Sequence, residues 1–522
     1  MIQAQQSEVG FWRLATIFLA ILTIPQVFFY PLSSDTAGLQ WVALRLVQHG
    51  QLPYVGTWEP NFPGTLVFHI PAVLLFGNSE IGFRVIEVLF QFVTLAALFR
   101  LSSHWLSPRA SFFSCLSFMI CTIHSGFLYY GQRDVFAAGL IIIALTLWFE
   151  SEYRTTLHVV MAGVCLGLAT LIRPFYIILA ALLLVLYWRR ITISRRWLFL
   201  IGVALPAFLV LMPYVIAGDL EKAFETTILF LSLYASVPTT SIHDLGHVLL
   251  QSFAVLGFAV VALLPVNIRF VNARFPTALI RPFGKKEWHL LLGMLTCVLL
   301  IIIGQHRFLM YHFAPLYALS APLAGVGMER TVLAIGSRSI RRFFIFAFSV
   351  ALLFFYTPFV KILTKTSWID LDTRKVSDTF KDFDAIRDDS IIHYLQLPAN
   401  AVGDVEVCSY DARLRLRLDR EPASRFLYFQ AFTVTDSHGG HPAFQRAWKK
   451  EFLHALVSAP ARFVILNGYM GFWGQDAPSK SLPRDFPDLD SLLSANYTRD
   501  TVLGWAVIYQ IKSFAPSISS GN

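Results

Sequence analysis

The chain has 522 residues, of which 56% are hydrophobic and only 14% are charged, and its mean hydropathy is +0.58. Soluble domains carry about 25% charged residues, so this composition excludes an ordinary soluble protein and indicates an integral membrane protein. The five cysteines have no spacing typical of a zinc site or a disulfide framework, and the net charge of +9 matters less than where the basic residues lie.

Long apolar runs dominate the first two thirds of the chain. A helix that crosses about 30 Å of hydrocarbon needs roughly 20 mostly apolar residues, and about 11 runs meet or approach that length. They lie near 11–30, 80–101, 109–125, 133–150, 157–173, 174–188, 197–217, 248–268, 288–304, 308–327 and 342–360. The first run lacks a small-residue cleavage motif, so we expect a retained helix and not a removed signal peptide. Gly163 and Gly167 have the spacing typical of close helix packing.

The distribution of Lys and Arg predicts the orientation. With the N-terminus in the cytoplasm, the inner loops hold the basic clusters Arg189–Arg196 and Arg269–Lys286, whereas each outer loop holds a single Lys or Arg. Because positive residues favour the cytoplasmic side, we expect an odd number of crossings in a multi-pass protein of the inner or plasma membrane. The chain after the last run then lies outside the cell.

The chain changes character after about residue 360. From Asp370 charged residues become dense and the long apolar runs stop. Strand-like runs alternate with helical stretches, which predicts a small α/β extracytoplasmic domain over 361–522, after an all-α membrane domain over 1–360 with juxtamembrane helices in its first outer loop. The expected strands are 405–410, 425–429, 462–466 and 503–511, and the expected helices are 380–396, 411–417 and 443–458.

The first outer loop carries Asp35 five residues beyond the first apolar run. One interpretation is an N-cap, because Ser33-Ser34-Asp35 precedes an amphipathic stretch and Asp is a favoured cap. The other is a carboxylate held at the membrane surface to activate a nucleophile. A cap and a catalytic base are not exclusive.

Two further groups of polar residues are predicted on the same outer face. Gln132-Arg133-Asp134 is either a local ion pair at a helix start or a phosphate-binding arginine oriented by a nearby carboxylate. The segment with His306, Arg307, Tyr311 and His312 is either an interfacial belt or part of a binding site. No nucleotide-binding or zinc-protease motif is found, and nothing indicates a nucleic-acid partner.

These segments resemble those of a known group. The chain resembles the GT-C membrane glycosyltransferases, within them the bacterial branch similar to dolichyl-phosphate-mannose–protein mannosyltransferases and aminoarabinose transferases (family 39/83-like). The resemblance covers about residues 10–330 and depends on the order of short motifs. They are Asp35, Gly50-Gln-Leu-Pro53-Tyr54, Trp58-Glu59-Pro-Asn61-Phe-Pro63-Gly64, Phe76-Gly77, Phe83-Arg84, Gln132-Arg133-Asp134 and Tyr311-His312-xx-Pro315.

The resemblance implies a sugar donor linked to a polyprenyl phosphate and a general base at Asp35. Glu59 matches a Glu of the Glu-Lys-Pro-Pro-like stretch of the aminoarabinose transferases, but the Lys is absent, because Pro60 and Asn61 stand there. Another cation must therefore contact the phosphate, and we expect Arg133, with His306 and Arg307, to do so. Glu59, Asp134, Tyr54, Tyr311 and His312 are expected to support the site or bind the acceptor.

The sequence therefore predicts a transferase that moves a hexosyl or pentosyl group to an acceptor hydroxyl of a glycan, lipid or protein, with inversion. A divalent metal bridging Asp35, Glu59 or Asp134 to the phosphate is left open. The alternative is a transporter or flippase, although inverted repeats and broken helices are not evident. One outer cleft containing Asp35, Arg133 and His306 would favour the transferase, whereas a continuous polar path would favour the transporter.

Overall fold

The computed structural model describes residues 2–124, 129–151, 155–235, 285–305, 308–334, 383–395, 405–436, 439–467, 478–504 and 506–512, with a few isolated positions between 245 and 260. The predicted span 342–360 lies outside these residues, as does most of 248–268. His306 and Arg307 lie outside them as well.

The N-terminal part of the described chain is helical. Its α-helices are α1 (Ile2–Phe29), α2 (Ser34–His49), α3 (Leu66–Phe76), α4 (Glu80–Ser103), α5 (Pro108–His124), α6 (Arg133–Ser151), α7 (Thr156–Ile172), α8 (Ile177–Tyr187), α9 (Ile193–Ala217), α10 (Leu220–Phe224), α11 (Leu231–Ala235), α12 (Lys285–Gln305) and α13 (Ala314–Ala334). Short 3₁₀ turns at Pro63–Thr65, Pro174–Tyr176 and Met310–Phe313 precede α3, α8 and α13, and a π-helical turn, Glu225–Phe230, joins α10 to α11.

Several of these helices have the length and composition of membrane spans. Glu80–Ser103, Ile193–Ala217 and Lys286–Gln305 are each long and apolar enough to cross a bilayer, and shorter apolar helices accompany them. Large apolar side chains on α9, such as Phe208, Leu209 and Ile216, are more than half exposed, as expected where a helix faces lipid. The protein is a multi-pass membrane protein, and the number of about 11 crossings stays a prediction.

Glycines set the contact between α7 and α9. A Cβ atom on Gly163 would lie 2.4 Å from the carbonyl oxygen of Phe199, and one on Gly202 would lie 2.4 Å from that of Val160. Such distances are too short for any side chain, so only glycine lets the two backbones approach this closely. The helix packing predicted from the Gly163 and Gly167 spacing is confirmed. The predicted boundary between the runs 157–173 and 174–188 is also present, because α7 ends at Ile172.

The C-terminal part contains a four-stranded sheet and surrounding helices. The strands are β1 (Val405–Ser409), β2 (Phe463–Asn467), β3 (Tyr497–Leu503) and β4 (Ala506–Ile511), and the helices are Phe383–Leu395, Arg413–Leu418, Gln430–Thr433, Ala443–Ser458, Pro478–Asp485 and Pro487–Asn496. The strand order is β1-β2-β4-β3. β1 pairs in parallel with β2, whereas β4 runs antiparallel to both β2 and β3.

Most of the secondary structure predicted here is confirmed, with two corrections. All five residues of β1 and of β2 are buried, including Glu406 and Ser409 of β1. The predicted strand 425–429 is wrong: Phe426 forms only an isolated bridge, to Trp58. The predicted strand 503–511 begins at Ala506, and the polar edge strand β3 was not predicted because its exposed residues lack an apolar pattern.

Candidate active site

The start of α2 positions Asp35. Ser33 is the N-cap of this helix: its backbone is extended, and its Oγ accepts a hydrogen bond of 3.4 Å from the Thr36 N–H. The capping role is therefore carried by Ser33, so the N-cap interpretation of Asp35 is wrong. The Asp35 side chain is 34% exposed and lines a cavity, which leaves its carboxylate available to a ligand.

The turn that precedes α6 packs directly against the start of α2. Gln132 Nε2 donates to Ser33 Oγ over 2.9 Å, and Thr36 Oγ1 donates to the Gly131 carbonyl oxygen over 3.2 Å. Gly131 has φ +74°, and a Cβ there would lie 2.8 Å from the Thr36 side chain. Glycine is required at this position both for its backbone conformation and for the close approach.

A buried ion pair on α4 makes hydrogen bonds to the segments that precede α2 and α6. Arg84 Nη1 contacts Glu87 Oε2 at 2.6 Å, and Arg84 Nη2 donates to the carbonyl oxygens of Tyr30 (3.2 Å) and Pro31 (2.8 Å). Glu87 Oε1 accepts the Gly131 N–H. This pair therefore fixes the segment before Asp35 relative to the segment before Arg133.

Arg133, the first residue of α6, connects Asp35 to the loop after α2. Its Nη2 lies 3.3 Å from Asp35 Oδ2, and its Nη1 donates to Asn61 Oδ1. The Arg133 side chain is about nine-tenths buried. Neither sequence interpretation identified Asp35 as the partner of Arg133. The structure pairs Arg133 with this distant carboxylate and not with the adjacent Asp134.

Asp134 points to a different set of groups. Arg173 donates to it through Nε (3.1 Å to Oδ1) and Nη2 (2.9 Å to Oδ2), and the Tyr176 hydroxyl donates to Oδ1 over 3.1 Å. His312 Nδ1 lies 3.1 Å from Oδ2. Asp134 is almost fully buried, so its role is to hold Arg173 and His312 in place. Arg173 was not among the predicted site residues.

These groups surround one cavity of about 430 Å³. Its charged and basic lining residues are Asp35, Arg133, Arg173 and His312, and Tyr311 lies beside them. The apolar side chains Ile172, Phe175, Ile228 and Leu231 line it as well. A cavity that combines a carboxylate, two guanidinium groups and apolar walls suits an anionic head group with a hydrocarbon tail.

Glu59 and Tyr54 lie behind the cavity wall. Glu59 is 2% exposed, its Oε1 accepts hydrogen bonds from the backbone and the side-chain amide of Asn61, and Tyr54 donates to the Asn61 carbonyl oxygen over 2.8 Å. Burial, together with the nearby charge of Asp35, raises the pKa of Glu59 to about 8. Both residues therefore support Asn61, which in turn contacts Arg133.

The buried Glu59 should make stability depend on pH. Its folded-state pKa of about 8 lies above the ordinary value of 4.5, so protonation stabilises the folded protein. The contribution of protonated Glu59 to the free energy of unfolding is fully present below about pH 4.5 and is lost as the pH rises to about 8. The melting temperature of Glu59→Gln minus that of the wild type should increase over this range and then level off. Thermal unfolding in detergent at a series of pH values checks it, and a constant difference would contradict it.

The C-terminal part of the chain forms another wall of the cavity. Tyr410, Tyr428 and Gln430 line it. Ser34, next to Asp35, accepts from the Ala412 N–H (3.3 Å) at its Oγ and from the Tyr428 hydroxyl (3.2 Å) at its carbonyl oxygen. These residues were not predicted, since nothing in the local sequence relates positions almost 400 residues apart.

Further contacts attach the C-terminal part to α2 and to the loop between α2 and α3. Trp58 is fully buried, its backbone N–H donates to the Arg425 carbonyl oxygen over 2.7 Å, and its ring packs edge-on against Trp448 at 5.5 Å. Arg45 contacts Glu421 at 2.6 Å. Residues 425–429 thus pack on this loop, which explains why they do not join the sheet.

The predicted site residues are brought together in part. Asp35, Arg133, Tyr311 and His312 line the cavity, whereas Asp134, Glu59 and Tyr54 support its walls. His306 and Arg307, which were also predicted to bind the phosphate, lie outside the described residues. Within the residues that are described, no group of three or more His, Cys, Asp or Glu side chains could hold a metal ion.

Comparisons with known proteins agree with this architecture. Residues 68–216 match the family described as dolichyl-phosphate-mannose-protein mannosyltransferase. A segment of 168 residues, 29% of this chain, is 32% identical to undecaprenyl phosphate-alpha-4-amino-4-deoxy-L-arabinose arabinosyl transferase 1 of Pseudomonas fluorescens. That segment spans only 30% of the relative.

Solved structures resemble the chain over nearly its whole length. The crystal structure of ArnT from Cupriavidus metallidurans bound to undecaprenyl phosphate superimposes with a TM-score of 0.58 at 15% identity, over 95% of this chain and 97% of that one. Its apo state also has a TM-score of 0.58, at 14% identity over 96% and 98%. The chain therefore has the same fold as ArnT.

Proposed function

We propose that the protein transfers a sugar from a polyprenyl-phosphate donor to an acceptor hydroxyl at the outer surface of the inner or plasma membrane. The observation that carries this proposal is a cavity whose lining contains Asp35, Arg133 and Arg173 together with apolar side chains. The names of the two relatives support it, since both contain undecaprenyl phosphate.

The proposed roles follow from charge and position. Asp35 is the general base, because it is a partly exposed carboxylate that lines the cavity beside the Arg133 guanidinium. Arg133, Arg173 and His312 bind the donor phosphate, and Arg133 and Arg173 supply the positive charge that the missing Lys supplies in the aminoarabinose transferases. His306 and Arg307 stay candidates for the same role. The polyprenyl chain extends along Phe175 and Leu231 towards the bilayer.

The reaction balances without a cofactor. Asp35 removes the proton from the hydroxyl group of the acceptor substrate. At the same time, the oxygen of that hydroxyl forms a bond to the anomeric carbon of the sugar. The bond from that carbon to the phosphate oxygen breaks, and the polyprenyl phosphate leaves with the bonding electron pair. A phosphate is a good leaving group, so one base and positioned cations suffice, and direct displacement inverts the anomeric carbon.

We further propose the membrane topology and the class of sugar that is transferred. The catalytic membrane domain is residues 1–360 with a cytoplasmic N-terminus, and residues 361–522 form the extracytoplasmic domain. The transferred group is a pentosyl or hexosyl unit, and the relative's name makes an aminopentose the first candidate to test.

The test of the activity is mass spectrometry of envelope glycans and glycolipids from cells with and without the gene. We expect one glycosylated species to be present only with the gene and to return on complementation. Identical envelope profiles in the two strains, with the protein confirmed in the membrane, would overturn the proposed function.

Arg133→Ala should weaken the binding of undecaprenyl phosphate by about 10-fold to 100-fold, because one charge-assisted hydrogen bond contributes roughly 1.5–3 kcal/mol. The partly exposed Asp35 can be hydrated in the variant, so folding should survive. Titration of the purified protein in detergent measures the effect. Arg499→Ala, on the exposed edge strand β3, is the matched control and should bind normally. Unchanged binding by Arg133→Ala would place the phosphate elsewhere.

A further inference from the structure

The C-terminal part of the chain holds the residue that directly precedes Asp35. Ser34 Oγ donates to the Tyr410 carbonyl oxygen over 3.4 Å and accepts from the Ala412 N–H over 3.3 Å. The Ser34 carbonyl oxygen accepts a hydrogen bond of 3.2 Å from the Tyr428 hydroxyl. Because Ser34 is the first residue of α2, these contacts fix the start of the helix on which Asp35 lies.

Gly38 lets Tyr428 approach α2 on the face that carries Asp35. A Cβ atom on Gly38 would lie 1.9 Å from the Tyr428 hydroxyl oxygen and 2.9 Å from the ring carbon that bears it, so no larger residue fits beside this hydroxyl. Residues 35 and 38 are three positions apart and share one face of the helix. A glycine inside a helix costs stability relative to alanine, and the close approach of Tyr428 explains why one stands here.

The chemistry of Tyr428 suits a neutral hydrogen-bond donor. Its side chain is buried and lines the cavity together with Asp35. Burial, with the nearby negative charges of Glu59 and Asp35, raises the pKa of Tyr428, so the phenol keeps its proton. Tyr428 can therefore hold the start of α2 without competing with Asp35 for the proton of the acceptor hydroxyl.

From these contacts we infer that Tyr428 is a positioning residue for the general base, and that the C-terminal part is needed for sugar transfer itself. The Tyr428 hydroxyl holds the Ser34 carbonyl oxygen and thereby sets the position of the Asp35 carboxylate in the cavity. A misplacement of about 1 Å at a reacting group can cost roughly 10² in rate. This inference rests on the proposed function and adds the residue that orients its base.

Tyr428→Phe tests the inference, because it removes the hydroxyl and keeps the ring. Tyr497→Phe is the matched control: Tyr497 is also a buried tyrosine of the C-terminal part, and its hydroxyl donates to the Ala461 carbonyl oxygen over 3.0 Å, but it does not line the cavity. Each full-length variant is returned to cells that lack the gene. The rate of transfer is measured in their membranes, per amount of folded protein, as the product that forms only with the gene. Purified variants are titrated with undecaprenyl phosphate.

Tyr428→Phe should lower the rate of transfer about tenfold, which is the effect of losing one neutral hydrogen bond. Binding of undecaprenyl phosphate should stay within about twofold of wild type, because the cavity keeps both arginines. Tyr497→Phe should change neither quantity by more than about twofold. A Tyr428→Phe rate within threefold of wild type would overturn the inference. Equal losses of transfer in the two variants, or a loss of lipid binding as large as the loss of transfer, would overturn it as well.

The Asp35→Asn background distinguishes a positioning role from a general loosening of the structure. If Tyr428 acts through Asp35, adding Tyr428→Phe to Asp35→Asn should change the residual rate by less than about threefold, because the base that it orients is already absent. A further fall of about tenfold would mean that Tyr428 serves the reaction by another route, which contradicts the inference.

Gly38→Ala tests the same contact from α2. Its methyl group should displace the Tyr428 hydroxyl and lower the rate of transfer about tenfold or more. In the double variant Gly38→Ala, Tyr428→Phe the clashing hydroxyl is absent, so the rate should be close to that of Tyr428→Phe alone. Losses that multiply to about a hundredfold would show that the two residues act independently, and the inference would fail. If wild-type membranes form no product that requires the gene, the proposed function itself fails, so the two failures are distinguishable.

Discussion

Asp35→Asn should reduce sugar transfer by about 10²-fold to 10⁴-fold, the usual contribution of a positioned general base. Asparagine has nearly the same shape as aspartate but cannot accept the proton of the acceptor hydroxyl. Because Ser33 caps α2, and because the asparagine oxygen can still accept a hydrogen bond from Arg133, which also donates to Asn61, the fold should persist. The rate is measured as product formed in membranes that contain the variant.

Binding data distinguish lost chemistry from lost structure. The same variant should bind undecaprenyl phosphate at least as tightly as the wild type, because it removes a negative charge 3.3 Å from Arg133. Asp219→Asn is the matched control: this outer aspartate pairs with Lys222 at 2.9 Å and does not line the cavity. An Asp35→Asn rate within tenfold of wild type would refute the assignment of the base.

The proximity of Asp35 and Arg133 could be anticipated from sequence, but their contact could not. Both follow or precede apolar runs on the predicted outer face, so topology alone brings them to the same end of the helices. The contact depends on the Arg84–Glu87 pair and on Gly131, which hold two turns about 100 residues apart. The adjacent Asp134 was the more obvious partner for Arg133, yet neighbouring helical residues point in different directions.

Arg173 illustrates a second limit of sequence reasoning. A single Arg before Pro174 reads as a loop charge at a hairpin tip, and its carboxylate partner lies 39 positions away on α6. The packing of α7 against α6 creates this pair. The cavity wall formed by the C-terminal part is harder still to anticipate, because the contacts of Tyr410 and Tyr428 with Ser34 depend on how this part packs on the membrane domain.

The strands of the sheet were easier to predict than the contacts of the C-terminal part with the loop that contains Trp58. β2 is apolar up to Asn467, whereas β1 also contains Glu406 and Ser409, and both strands are fully buried. Residues 425–429 are also rich in apolar side chains but pack against Trp58 instead. Apolar composition therefore predicts that a segment is buried, but it does not predict the residues against which the segment packs.

Asp134→Ala should lower the free energy of unfolding by about 3–5 kcal/mol, the usual cost of leaving one member of a buried ion pair without its partner. Asp134 accepts hydrogen bonds from Arg173 and Tyr176 and contacts His312 while almost fully buried. Binding of undecaprenyl phosphate should also fall, because Arg173 and His312 lose the group that positions them. Thermal unfolding and lipid titration in detergent measure the two effects.

The double variant Asp134→Ala, Arg173→Leu separates these effects. Removing the guanidinium along with its carboxylate leaves no uncompensated charge, so much of the lost stability should return. Phosphate binding should not return, since the double variant lacks one of the two cavity arginines. If both stability and binding recovered together, Arg173 would be a structural residue alone and Arg133 would carry the donor phosphate. If neither recovered, the loss in the single variant would come from the cavity left by the Asp134 side chain and not from the stranded charge.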